Sequence, residues 1–219
     1  EASIYQCLLT EGKVTGYEVA KQTGISRSNA YNSLASMTEK GAAYLVEEAS
    51  TRKYVPVPLN EFCKNRIRKL EESGKWLQEH MPTEKAYVEG YITIEGAENI
   101  LNKIKNLLSQ VDQRVYISCT RNYLLLLIRE LDTLMEERKK VVIITDQPAT
   151  FYNAKVYFGE NRGMQIGIIA DSKYVLTGEY GEGSMNTCLY SGQKNFVELY
   201  KTALANEIKL LSIREENKD

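Results

Sequence analysis

Residues 16–40, GYEVAKQTGISRSNAYNSLASMTEK, constrain this chain more than any other stretch. Two helical patterns flank Gly24-Ile25, and so short a connection forces a tight helix-turn-helix. Thr15 and Glu18 have the T-x-x-E spacing of a capping box, which opens the first helix. Ser26 is a good N-cap for the second. Within that second helix Ala30, Leu34 and Met37 recur at i, i+4 and i+7 and form the inward stripe. The same wheel turns Ser28, Asn32 and Ala35 outward, flanked by Asn29, Tyr31 and Ser36. A small, polar helix face can approach base edges closely, and Asn pairs bidentately with adenine. Arg27 and Tyr31 fall to the sides, where phosphates would lie. The plainer reading of the same pattern is a solvated face in a small helical bundle.

The surrounding sequence extends the pattern. Residues 2–11 place Ile4, Cys7 and Leu8 on one helical face, and Gly12 stops that helix. After Gly41, AAYLVEE alternates as a strand, Ala49-Ser50-Thr51 can turn, and RKYVPVP reads as the return strand. Pro56 and Pro58 confine it to an edge or place them at its end. Three helices and a hairpin make a winged helix. Arg52, Lys53 and Tyr54, just after the tip, suit phosphate or minor-groove contact.

The run from Thr15 to Pro58 resembles the DNA-binding domain of the TrmB family of transcriptional regulators. The elements that carry the likeness are Ser26-Arg27-Ser28, Tyr31, Leu34 with Met37, Lys40-Gly41, and Tyr54 with Pro58. The resemblance implies a coiled-coil helix after the wing, and the residues supply one. Cys63, Ile67, Leu70, Gly74, Leu77 and Met81 follow steps of four and three, a heptad seam ended by Pro82. Two readings stay open, a helix packed on its own domain and a dimerisation coil. The second is preferred because winged-helix proteins read paired half-sites as dimers.

From about residue 86 the pattern becomes α/β. AYVEGYITI, RVYISC, KVVIIT, AKVYF, MQIGIIA, YVLTGEY and NTCLYSG read as strands. Residues 95–111, 122–138 and 195–211 read as helices, and Asp171-Ser172-Lys173 as a hairpin turn. This order resembles the phospholipase D-like domain of TrmB-family regulators. Enzymes of that fold carry H-x-K-x-x-x-x-D, six further residues and Gly. Asp171 and Gly178 fit the tail, but Met164 and Ile166 occupy the His and Lys positions. Neither can attack phosphorus or clamp phosphoryl oxygens, so chemistry by that route is excluded and Asp171 reads as a turn residue. The resemblance implies effector sensing or assembly instead. Longer sugar-responsive members carry a further C-terminal region, which is missing after Asp219, so a sugar ligand is not expected. Arg121 and Asp146, at strand ends, are the effector-binding candidates.

Composition sets limits. The net charge of -1 means that any nucleic-acid contact is a local patch. No apolar run approaches membrane-spanning length, and EASIYQ does not read as a signal peptide. Four widely spaced cysteines fit reduced thiols of a cytoplasmic protein, with a thiol sensor as the alternative. A single histidine, His80, argues against a metal site, and no cofactor motif is present.

The sequence thus predicts an α+β multidomain chain. Its parts are a winged helix (1–58), a coiled-coil helix (59–82) and an α/β phospholipase D-like regulatory domain (83–219). The expected function is a dimeric, non-enzymatic, DNA-binding regulator. Ser26, Arg27, Ser28, Asn29, Tyr31, Asn32, Arg52, Lys53 and Tyr54 would face double-stranded DNA, and Cys63, Ile67, Leu70, Leu77 and Met81 would face a second copy. A small-molecule effector would act through the last domain. Alternatives are an adaptor whose winged helix no longer binds DNA and a degenerate phosphodiesterase.

Overall fold

The computed structural model describes residues 1–48, 51–82, 90–149, 151–159 and 162–216. The chain divides into two compact units, Glu1–Lys85 and Ala86–Asp219.

In the first unit, α1 (Ala2–Glu11) is followed by a two-residue strand, β1 (Val14–Thr15), then α2 (Gly16–Thr23) and α3 (Arg27–Glu39). A hairpin of β2 (Ala43–Glu48) and β3 (Thr51–Pro56) leads into α4 (Leu59–His80). The caps are those the sequence encodes. Thr15 Oγ1 accepts from the Glu18 amide at 3.3 Å while the Thr15 amide donates to Glu18 Oε2 at 2.7 Å. Ser26 Oγ accepts from the Asn29 amide at 3.4 Å. Gly24 closes α2 in the left-handed region at φ 70°, where a side chain would be strained.

Of the two placements the prolines allow, the second holds, and a third strand joins the hairpin. β3 is the central strand of the order β1-β3-β2, because Val14 and Thr15 pair with Tyr54 and Lys53. The prolines are tolerated because Pro56 is the last residue of the strand. Of the turn expected at Ala49-Ser50-Thr51, residues 49 and 50 lie outside the described residues, and Thr51 is instead the first residue of β3, paired with Glu48. The core of this unit gathers Ile4, Leu8, Val19, Ala30, Leu34 and Met37. Each of these except the small Ala30 contributes roughly 1.5–3 kcal/mol by leaving water.

In the second unit, β4 (Tyr91–Glu95) precedes α5 (Ala97–Ser109) and β5 (Arg114–Ser118). The predicted start of that first strand, 86–89, lies outside the described residues. The helix expected over 122–138 is two, α6 (Arg121–Leu125) and α7 (Ile128–Glu136). The break lets Leu124, Leu127 and Leu131 all bury, while Ile128 is 37 % exposed. There follow β6 (Lys140–Thr145), β7 (Ala154–Phe158), β8 (Gln165–Ala170), β9 (Tyr174–Glu179), β10 (Thr187–Ser191) and α8 (Lys194–Glu216).

The sheet runs β4-β10-β9-β8-β5-β6-β7. β5, β6 and β7 are parallel; β8, β9, β10 and β4 pair antiparallel. AKVYF therefore belongs to the parallel half, at the edge of the sheet. Alternation along β6 explains the layers. Val141 and Ile143 face the cluster made with α5, α6 and α7. Val142 and Ile144 face the cluster made with Val197, Leu204 and Leu211 of α8. A strand buried on both faces reads as a continuous apolar run, as KVVIIT does.

Candidate nucleic-acid interface

α3 is anchored by the fully buried Ala30 and Leu34 and by Met37 at 2 % exposure. That fixes its rotation and leaves Ser26, Arg27, Ser28, Asn29, Tyr31, Asn32 and Ala35 exposed. Among the described residues, the side chains of Ser28 and Asn32 have no hydrogen-bond partner. Arg27 lies over the Tyr17 ring, 4.5 Å from its centroid, a cation–π contact that holds the guanidinium beside the helix start. Tyr31 has a structural duty as well. A Cβ on Gly16 would stand 2.5 Å from Tyr31 Cε1, so glycine is what allows α2 and the Tyr31 ring to approach.

The wing is arranged differently. Its register sets Glu47 opposite Arg52, and Arg52 Nε donates to Glu47 Oε1 at 3.1 Å. Lys53 pairs with Glu48 at 3.1 Å, and Lys13 donates to the same carboxylate. These two lysines hold the Glu48 carboxyl below its ordinary value. Arg52 and Lys53 are at the surface but already face acids. Tyr54 corrects the sequence reading. It is 6 % exposed, packed in the core of the first unit between the strands β1 and β2 that flank it. It cannot touch DNA from there.

No residue of α4 is buried. Cys63 is exposed, and Ile67, Leu70, Leu77 and Met81 are exposed at 55 %, 68 %, 44 % and 57 %. Its first turn packs through Phe62 against Tyr5, with ring centroids 5.9 Å apart. His80 stacks on Trp76 at 4.5 Å. Among the described residues no group of three or more His, Cys, Asp or Glu is placed to hold a metal ion. No helix among them is long and apolar enough to cross a membrane.

In the second unit the residues of the motif tail have structural work. Asp171 accepts from the amides of Asp112, Gln113 and Arg114 at 2.8, 2.8 and 2.9 Å. Burial would raise its pKa, yet these three N–H groups hold it below the ordinary value. Asp171 and Ser172 both have left-handed φ, 50° and 54°, as the turn between β8 and β9 requires. At Gly178 a Cβ would lie 2.2 Å from the Thr187 carbonyl oxygen, so β9 and β10 need glycine there. Ile166 is 2 % exposed in the core, and Met164 is 38 % exposed beside the strand.

Arg121 and Asp146 do meet at the rim formed by the ends of β5 and β6. The contact is the Arg121 amide donating to Asp146 Oδ1 at 2.9 Å. Thr145 adds a weaker bond to the same oxygen at 3.4 Å. Asp146 thus fastens the start of α6, and only the Arg121 side chain remains outward. A more enclosed polar group was missed. Arg162, 9 % exposed, donates to Ser118 Oγ at 2.6 Å and to Glu207. A Cβ on Gly159 would stand 2.5 Å from its guanidinium. No local pattern could reveal this cluster, because its members are 44 and 45 residues apart. Of the four free cysteines, burial pushes the Cys119 thiol up to about 12 and Cys188 to about 11, which leaves both unreactive at neutral pH.

The fold and the exposed α3 face define the first unit as a winged helix-turn-helix domain. Residues 1–60 match the family described as sugar-specific transcriptional regulator TrmB, and the chain carries a TrmB-family domain at its N-terminus. A relative in Bacillus subtilis (strain 168), the uncharacterized protein YrhO, is 32% identical over 148 residues. The match takes in 66% of this chain and 53% of that protein, so the chain spans about half of its relative's length. Among solved structures, TrmBL2, an archaeal chromatin protein, is similar with a TM-score of 0.49 and 18% identity over 95% of this chain and 91% of that one. NucT from Helicobacter pylori is similar over 55% of this chain and 97% of that one, with a TM-score of 0.44 and 16% identity. Nuc from Salmonella typhimurium, a phospholipase D family member, is similar over 53% and 92%, with a TM-score of 0.43 and 9% identity.

Proposed function

We propose that the chain is a cytoplasmic, sequence-specific, DNA-binding transcriptional regulator that works as a homodimer and is not an enzyme. The observation that carries the reading is the outward face of α3. It is a helix locked by a buried stripe that presents small polar side chains, Ser28 and Asn32 among them, without partners of their own among the described residues. In the major groove, Ser28, Asn29 and Asn32 would meet base edges while Ser26, Arg27 and Tyr31 meet the backbone. The TrmB-family match of residues 1–60 supports it. The exposed seam of α4 would pair with its copy, placing two α3 helices on half-sites about one helical turn apart. Effector control would act through the second unit, with Arg121 and Asp146 at its strand-end rim.

A gel-shift on the promoter of the protein's own operon at about 50 and about 200 mM salt tests the reading. A shift at low salt that weakens at high salt is expected; none at low salt refutes it. The ion pairs on the wing favour a second reading, an adaptor whose winged helix meets protein instead of DNA. Under that reading Arg52→Ala changes no DNA affinity because there is none to change.

A further inference from the structure

Residues 1–58 hold six lysines and arginines: Lys13, Lys21, Arg27, Lys40, Arg52 and Lys53. Carboxylates hold four of these: Glu48 takes Lys13 and Lys53, Glu1 takes Lys40 and Glu47 takes Arg52. Lys21 and Arg27 have no carboxylate partner among the described residues. Tyr17 links the two. It is four residues before Lys21 on α2, so both share a helix face. Arg27 opens α3 and lies over the Tyr17 ring, 4.5 Å from its centroid. Glu18, the acid next to Tyr17 in the sequence, is already bound to the amide and hydroxyl of Thr15 at 2.7 and 2.8 Å.

The kind of partner decides what a cation can still do. Glu47 occupies an N–H group of Arg52. An aromatic face attracts a guanidinium without engaging its in-plane N–H groups. Arg27 donates no hydrogen bond among the described residues, so its planar fork is available to phosphate oxygens. The ring also limits the rotamers that an exposed arginine would otherwise sample, which lowers the ordering cost of a phosphate contact. We propose that Tyr17, 49 % exposed, is a positioning residue whose ring presents Arg27 to the DNA backbone, and that Lys21 extends the same phosphate-binding patch along α2. Arg27 precedes Ser28, Asn29 and Asn32 on α3, so a phosphate held there sets the register in which that face enters the groove. The inference deepens the DNA-binding reading above and rests on it. It adds to the acid-matched wing a backbone contact with no carboxylate to displace.

The test is fluorescence anisotropy of a labelled mixed-sequence duplex with the full chain at about 50 and about 200 mM salt. Arg27→Gln and Lys21→Gln should each lower the salt slope by about one. Tyr17→Leu should weaken binding about two- to fivefold, and Tyr17→Phe, which keeps the ring, should bind as the wild type does. In the Arg27→Gln background Tyr17→Leu should have no further effect. An equal loss in both backgrounds means that Tyr17 serves only the fold, and it overturns the proposal. So does a Tyr17→Phe variant as weak as Tyr17→Leu, or a salt slope that Arg27→Gln and Lys21→Gln leave unchanged. No binding by the wild type at low salt instead refutes the DNA-binding reading itself, so the two failures are told apart.

Discussion

The outward face of α3 and the wing are both polar and exposed, yet they treat their polar groups in opposite ways. On α3 the caps and the buried stripe are satisfied within the domain, so the outward Ser28 and Asn32 are left to meet something else. On the wing, Arg52 and Lys53 are matched by Glu47 and Glu48 within the same hairpin. The contrast teaches that exposure alone does not mark a contact residue. A presented group and a committed group look alike in accessible area and differ in their partners. For DNA the difference has a direct consequence. A phosphate must compete with a carboxylate for the wing cations, whereas a base edge meets no competitor at Asn32. Specific contacts should therefore dominate over the non-specific salt-dependent term that cationic wings usually supply.

The largest expected effect separates holding α3 from reading with it. Leu34→Ala empties a fully buried site and should lower the stability of the first unit by about 2–5 kcal/mol in chemical denaturation. Asn32→Ala should leave stability unchanged and reduce DNA affinity by about 1–3 kcal/mol, concentrated at one base position in a mutated-operator panel. If instead it weakens all sequences equally, α3 is not the reading element. Asp171 carries the committed class into the second unit. Its carboxyl titrates below its ordinary value, so its contribution to stability is fully present above about pH 4 and is lost as pH falls through the lower folded value. Asp171→Asn should cost about 1–2 kcal/mol at neutral pH and flatten that acid limb, with DNA affinity unaltered. The smallest effects belong to the wing. Glu47→Gln with Glu48→Gln removes solvent-screened surface ion pairs and should leave stability nearly unchanged. It should strengthen binding to all sequences and steepen its salt dependence. Arg52→Ala should do the reverse, lowering the salt slope by about one.

What the sequence made legible was local. The capping box at Thr15 and Glu18, the Ser26 cap and the Ala30-Leu34-Met37 stripe each lie within a few residues and are encoded by type and spacing. The break between α6 and α7 was hidden because apolar residues continue through it at 124, 127, 128 and 131, so periodicity gave no signal. Tyr54 was misread because the strand that covers it, Val14–Thr15, is two residues long and lies 40 residues away. The acid partners of the wing cations could have been found. Pairing Glu48 with Thr51 sets Glu47 against Arg52 by register alone. The Arg162 cluster could not, since Ser118 and Glu207 reach it only through the sheet and α8. Gly178 was seen as the remnant of a catalytic motif, and its packing against Thr187 gives it a separate reason to be glycine.

Selection from a random duplex library, run in parallel with the wild-type chain and with Asn32→Ala, tests the central claim most directly. The wild type should enrich two similar half-sites related by a two-fold and about one helical turn apart. Asn32→Ala should lose the preference at one position in each half-site while the spacing stays. Enrichment of the same sequence by both proteins, or of none by the wild type, would contradict the assignment of α3 as the element that reads DNA.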